Sequence, residues 1–132
     1  MGQNEDHYQT WSKAVYQALV DGDVQAVVSQ WAADGAYIST EPFGNHRTLR
    51  GRKAITEAME DFVTQSRNRR VLQNELLSAT VERGIFNIWL KWEGENGTEY
   101  ACNFIVVTTL DADDCCVSFQ EWNVAGAKDT SS

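Results

Sequence analysis

Two glutamates in this chain stand where a carboxylate could do acid/base work. Glu41 immediately precedes Pro42, the only proline, within the stretch ISTEPFGNHRTLRG at residues 38–51. Proline biases the residue before it to extended geometry, so the Glu41 side chain has a defined direction. Such an acid is either a plain strand end or a base aimed into a cavity, where desolvation raises a carboxyl pKa and suits proton transfer near neutral pH. Glu121 lies in the segment FQEWN at residues 119–123. If Phe119 faces a pocket, then period two places Glu121 and Asn123 beside it. The opposite row, Gln120, Trp122 and Val124, would put Trp122 inside and Glu121 out, and apolarity favours that second choice. With both inward, Glu41 and Glu121 form an acid/base pair. His46 follows the proline turn and could shuttle protons, or simply be solvated in an Asn-His-Arg turn. The chain has no Gly-rich phosphate loop, Ser-His-Asp order or His-x-His metal pattern. Asp111–Asp114 lacks the Gly and distal Glu of a calcium loop and reads as a hairpin turn.

The elements that must position these residues follow from periodicity. Trp11, Ala14, Val15, Ala18 and Leu19 recur at helical spacing, and the pattern stops at Asp21-Gly22. Asp23 can cap a second helix, with Val24, Val27, Val28 and Trp31 on one face and an end at Asp34-Gly35. A third begins near Arg52 and carries Ala54, Ile55, Ala58, Met59, Phe62 and Val63. Strands are expected at 36–40 and 47–49 around the Pro42–Asn45 turn, then at about 70–82, 85–93, 98–110 and 115–124. Asn96-Gly97 between alternating strands is a hairpin signal. Helices gathered early and strands late mean α+β rather than βαβ units.

Alternation shows which faces matter. In 85–93, Phe86, Ile88, Leu90 and Trp92 form an apolar row that should face the helices. The other row is mixed but holds Trp89, which suggests a partner surface. Both rows of 98–110 are apolar, so that strand should be covered on both sides. In 36–41, Tyr37, Ser39 and Glu41 share one row and Ala36, Ile38 and Thr40 the other; the second is the more apolar.

Length and charge bound the rest. A chain of 132 residues fits one domain, with about 1–6 and 126–132 expected to fray. The formal charge of −8 repels phosphate backbones, so nucleic acid is a poor partner. The clusters Arg47, Arg50, Arg52, Lys53 and Arg67, Arg69, Arg70 read as solvated faces. No run of about 18 apolar residues exists to span a membrane. The polar, acidic MGQNEDHYQT is not an ordinary signal peptide, and Asp6 stands where a myristoylation signal needs Ser or Thr. Three cysteines without metal spacing fit a reduced, cytoplasmic protein.

The order of elements resembles the nuclear transport factor 2-like family, closest to its SnoaL-like group and more distantly ketosteroid isomerase. The residues carrying the resemblance are Asp21-Gly22-Asp23, Trp31-Ala32-Ala33-Asp34-Gly35, Pro42-Phe43-Gly44, Gly51-Arg52-Lys53-Ala54-Ile55 and Phe119-Gln120-Glu121-Trp122-Asn123. It implies an α+β cone, a curved antiparallel sheet wrapped around three helices of the N-terminal half, spanning 1–132 as a single domain. It also implies a pocket at the open end and a homodimer through the outer sheet face, consistent with Trp89.

By the same resemblance Glu41 falls on the isomerase base position. The partner positions of that enzyme fall on Val106 and on Val15, with Tyr16 one place away and turned by about 100° on the helix, so its oxyanion pair is not reproduced. SnoaL-like cyclases place an acid near the end of the last strand, where Asn123 stands while Glu121 keeps a carboxylate in the row. The implied pocket wall is Tyr16, Trp31, Met59, Phe86, Ile88, Leu90, Phe104, Val106 and Phe119. The function implied is binding of a small, mostly apolar ligand. With it goes cofactor-independent isomerase, cyclase or hydrolase chemistry by carboxylates. A non-catalytic ligand-binding or dimeric assembly module is the alternative. The fold hosts many chemistries, so it cannot choose between them alone.

Overall fold

The computed structural model describes residues 2–40, 46–124 and 128–129, with side chains for 4–40 and 47–124. Glu41 and the Pro42–Asn45 turn lie outside the described residues, as does the side chain of His46.

Helix α1 (Gly2–Asp21) buries Tyr8, Trp11, Val15, Ala18 and Leu19 along one face. Its backbone is helical from Gly2, within the stretch expected to fray. It stops at Gly22, whose φ of 74° is left-handed backbone that glycine adopts without steric cost. Arg69 then ties two helix ends together. Its guanidinium donates to the carbonyl oxygens of Leu19, Val63 and Ser66 at 2.9, 3.3 and 2.7 Å, satisfying the ends of α1 and of α3 (Arg52–Gln65) at once.

Asp23 caps α2 (Val24–Val28) by accepting a hydrogen bond from the Ala26 N–H at 3.1 Å. The expected continuation of this helix through Trp31 to Asp34-Gly35 does not occur. Trp31 instead opens β1 (Trp31–Thr40). The sheet outcompetes the helical spacing here, because the Cys116 N–H donates to the Gln30 carbonyl at 2.7 Å and Trp31 pairs with Cys116. Between Trp31 and Ala36, β1 bulges against the shorter step from Cys116 to Ser118 on its partner. Gly35 is required in that bulge, since a Cβ there would lie 2.6 Å from the Cys116 carbonyl oxygen.

The remaining strands are β2 (His46–Arg50), β3 (Arg67–Ala79), β4 (Gly84–Glu93), β5 (Glu99–Leu110), β6 (Cys116–Asn123) and the short β7 (Lys128–Asp129). Strands β3 to β6 form the antiparallel meander read from the sequence, with Gly97 at φ 82° in the β4–β5 turn. β1 joins β6 in parallel and pairs with β2 in an antiparallel hairpin. The order across the sheet is β2-β1-β6-β5-β4-β3, and β7 adds to β5 beside Tyr100 and Ala101. The result is an α+β fold, a curved and unclosed sheet holding the helices.

Phe86, Ile88 and Leu90 point into the core, with Trp11, Trp31 and Phe119 at its centre. On the outer face, Ile85, Ile105, Val107 and Trp122 form a half-buried patch by cross-strand register, and Trp89 stands diagonal to Ile105 beside the hydrogen-bonded Asn87–Asn103 pair. Edge strand β3 is broken by three register shifts, which blunts it against pairing with other chains. No described helix is long and apolar enough to cross a membrane.

Candidate functional site

The concave face of the sheet encloses a cavity of about 490 Å³ with α1 and α3. Its apolar wall takes Val15 and Leu19 from α1, Met59 and Phe62 from α3, and Leu90, Trp92 and Phe104 from β4 and β5. One side is aromatic and tightly ordered. Tyr37 stacks on Phe119 at 4.9 Å and 18°, and Trp31 meets Phe119 at 5.5 Å. Phe62 and Trp92 meet edge to face at 5.3 Å on the other side.

The polar groups are gathered on β2, β1 and β6. Strand register makes them one transverse row: Arg47 pairs with Ser39, Ser39 with Glu121, and Glu121 with Val106. Arg47, Ser39 and Glu121 all line the cavity, with Tyr37 and Asn123 on either side of the row. Glu121 is only 8 % exposed. A carboxylate so buried needs a donor, and the Tyr37 hydroxyl supplies one by donating to Glu121 Oε1. Burial holds the Tyr37 pKa well above the usual tyrosine value; the Glu121 charge and hydrogen bond add to this and the Arg47 charge opposes it. Burial, then the Glu121 charge, does the same to Tyr16. Both phenols are therefore neutral at any physiological pH; Tyr37 donates to the carboxylate, and Tyr16 lies near enough to feel its charge.

The inward row of β6 is thus Phe119, Glu121 and Asn123, and Trp122 faces outward opposite Ile105. Apolarity favoured the other choice. It loses because Phe119 has a place between Trp11, Trp31 and Tyr37, and period two carries Glu121 with it. The same holds on β1, where Tyr37 and Ser39 line the cavity although their row is the less apolar.

Of the residues expected at the site, Glu121, Asn123, Tyr16, Trp31, Met59, Leu90, Phe104 and Phe119 are brought together around the cavity. Phe86, Ile88 and Val106 are not among its lining residues. They are almost wholly buried and fill the packed core instead. Glu41 lies outside the described residues. His46 opens β2 opposite Thr40, and its side chain is likewise outside them. Tyr37, Ser39, Arg47 and Trp92 line the cavity without having been singled out. For Arg47 the available signal was alternation: in HRTLR, period two puts Arg47 and Leu49 on one side, and both face the cavity. Its place in a basic cluster hid it. The cluster divides, since Arg52 turns to the Trp31 carbonyl at 3.0 and 2.7 Å.

The sequence matches no family model and no curated protein. The fold does match solved structures. SalBIII, an epoxide hydrolase/cyclase-like enzyme with a role in pyran ring formation in the polyether salinomycin, superposes with a TM-score of 0.74. It is 18% identical, with 95% of each chain covered. An NTF2-like protein of Burkholderia xenovorans gives a TM-score of 0.71 at 14% identity, over 93% of this chain and 92% of that one. A protein of Xanthomonas campestris assigned as a polyketide cyclase gives 0.75 at 15% identity, over 91% and 92%. The chain has the nuclear transport factor 2-like, SnoaL-like fold.

Proposed function

We propose that this protein binds a small, mostly apolar organic molecule in the cavity and acts on it by proton transfer at Glu121. The observation that carries the reading is a buried carboxylate at an aromatic-lined cavity, hydrogen-bonded by Tyr37. A ligand that fills the cavity displaces water from this carboxylate, so a proton moved there is kept from solvent. Glu121 is the proton acceptor or donor. Tyr37 and Tyr16, neutral donors, stabilise negative charge as it moves between carboxylate and substrate. The fold neighbours include cyclase- and hydrolase-like enzymes, which accords with isomerisation, ring closure or hydrolysis without a redox step. Glu41 remains a candidate second carboxylate on its sequence position alone.

A thermal-shift screen of small ring compounds bearing one polar group tests the binding half. A ligand at a hundred times its Kd stabilises by about 2.7 kcal/mol, which for a domain of this size is on the order of 10 °C. Any turnover found on a hit should fall by about a hundredfold or more in Glu121→Gln. Turnover that survives this change intact would mean that the cavity only binds.

The outer sheet face favours a second, compatible proposal: the protein is a homodimer through the patch around Trp89.

A further inference from the structure

We infer that the ligand carries a carboxylate and that Arg47 anchors it, so that the cavity selects organic acids over their neutral analogues. This rests on the cavity being the binding site.

Arg47 is the one cation among the described residues lining the cavity. Its guanidinium forms no ion pair or hydrogen bond with another described residue, while those of Arg52 and Arg69 are committed to backbone carbonyls. Its side chain is exposed and so keeps its donors in water until something displaces that water. A guanidinium offers a planar fork that matches a carboxylate in bidentate geometry. The direction of this fork is set by the row. Arg47 and Glu121 lie on either side of Ser39, one strand away from it on each side. Their backbones are therefore about 10 Å apart, two strand spacings.

A molecule whose carboxylate meets Arg47 would lay its next few atoms over Ser39 and Tyr37 and bring a reactive atom towards Glu121. Its apolar body would continue against Leu90, Phe62 and Trp92. Arg47 would also separate two negative charges, holding the ligand's carboxylate away from Glu121. The formal charge of −8 works against an anionic ligand. The general field of the protein repels anions, so an acid-binding cavity needs a local cation, and this is where one stands.

The test uses a matched pair, naphthalene-2-acetate and naphthalene-2-acetamide, titrated into the whole protein and followed by calorimetry. The acid is expected to bind about tenfold or more tightly than the amide. In Arg47→Ala that preference should vanish, and Arg47→Lys should keep part of it, having the charge without the fork. An amide that binds the native protein as well as the acid does would overturn the assignment of Arg47 and leave the cavity reading standing. A preference for the acid that persists in Arg47→Ala would overturn it too. Binding of neither compound would overturn the assignment together with the cavity reading it rests on.

Discussion

The Tyr37 hydroxyl donates to the Glu121 carboxylate across the boundary where β1 and β6 run in parallel, 84 residues apart in the chain. The pair is held from below, because Tyr37 sits opposite Phe119 in register and stacks on it. A donor so placed has little freedom to leave its acceptor.

Tyr37→Phe should therefore cost stability. The ring and its stacking survive, but the buried carboxylate loses a charge-assisted bond, worth about 1.5–3 kcal/mol. Urea unfolding measures this as a lower midpoint with an unchanged slope. The double variant Tyr37→Phe/Glu121→Gln should cost less than the sum of the two single changes. Fully additive losses would mean that the two groups do not depend on each other.

Alkaline titration gives a second check. Tyr16 and Tyr37 hold their protons well above pH 10 in the folded chain, first through burial and then through Glu121. Above about pH 10 the unfolded chain releases these protons while the folded one keeps them. The folded state then binds more protons, so stability is fully present below pH 10 and falls as pH rises beyond it. Tyrosinate absorbance should lag in the folded protein and appear with unfolding. In Glu121→Gln the onset should move down in pH, because the carboxylate's contribution is gone and burial remains. An onset identical in both proteins would show that Glu121 does not act on the phenols.

Trp89→Glu tests the outer face. Trp89 lies opposite Asn103 and diagonal to Ile105 on the outer face. Placing a charge there should raise the dimer dissociation constant by about a hundredfold, as expected for an aromatic anchor at an interface, while the circular dichroism spectrum is retained. Sedimentation is the measurement. A native protein that sediments as a monomer at micromolar concentration rejects the dimer outright.

Much of this architecture was legible because the meander writes itself locally. Phe86, Ile88, Leu90 and Trp92 alternate cleanly, and Asn96-Gly97 marks the turn that follows. What was illegible came from partners distant in sequence. Trp31 has helical spacing to Val28, and only its pairing with Cys116 makes it a strand residue. Apolarity ranked the rows of β1 and β6 the wrong way round, because it scores each residue's own cost. It cannot see that Phe119 fills the core and that Tyr37 meets the need of Glu121. Arg47 shows a third limit: it is exposed, as its basic cluster suggested, yet only the direction its strand faces puts it on the cavity lining.

The sheet order places β6 between two groups of strands. On one side are β1 and β2, on the other β5, β4 and β3, and no pairing among the described strands joins the groups except through β6. β6, synthesised after β1 to β5, is thus the keystone of the sheet. Before it docks, the growing chain holds two separate half-sheets with open edges, which leaves it exposed to mispairing. Glu121 lies on that same strand and meets Tyr37 only across the new seam. A chain that stalls short of residue 121 can therefore build α1, α2 and α3 and still lack the cavity's carboxylate, so the row Arg47–Ser39–Glu121 is complete only once β6 has joined the two half-sheets.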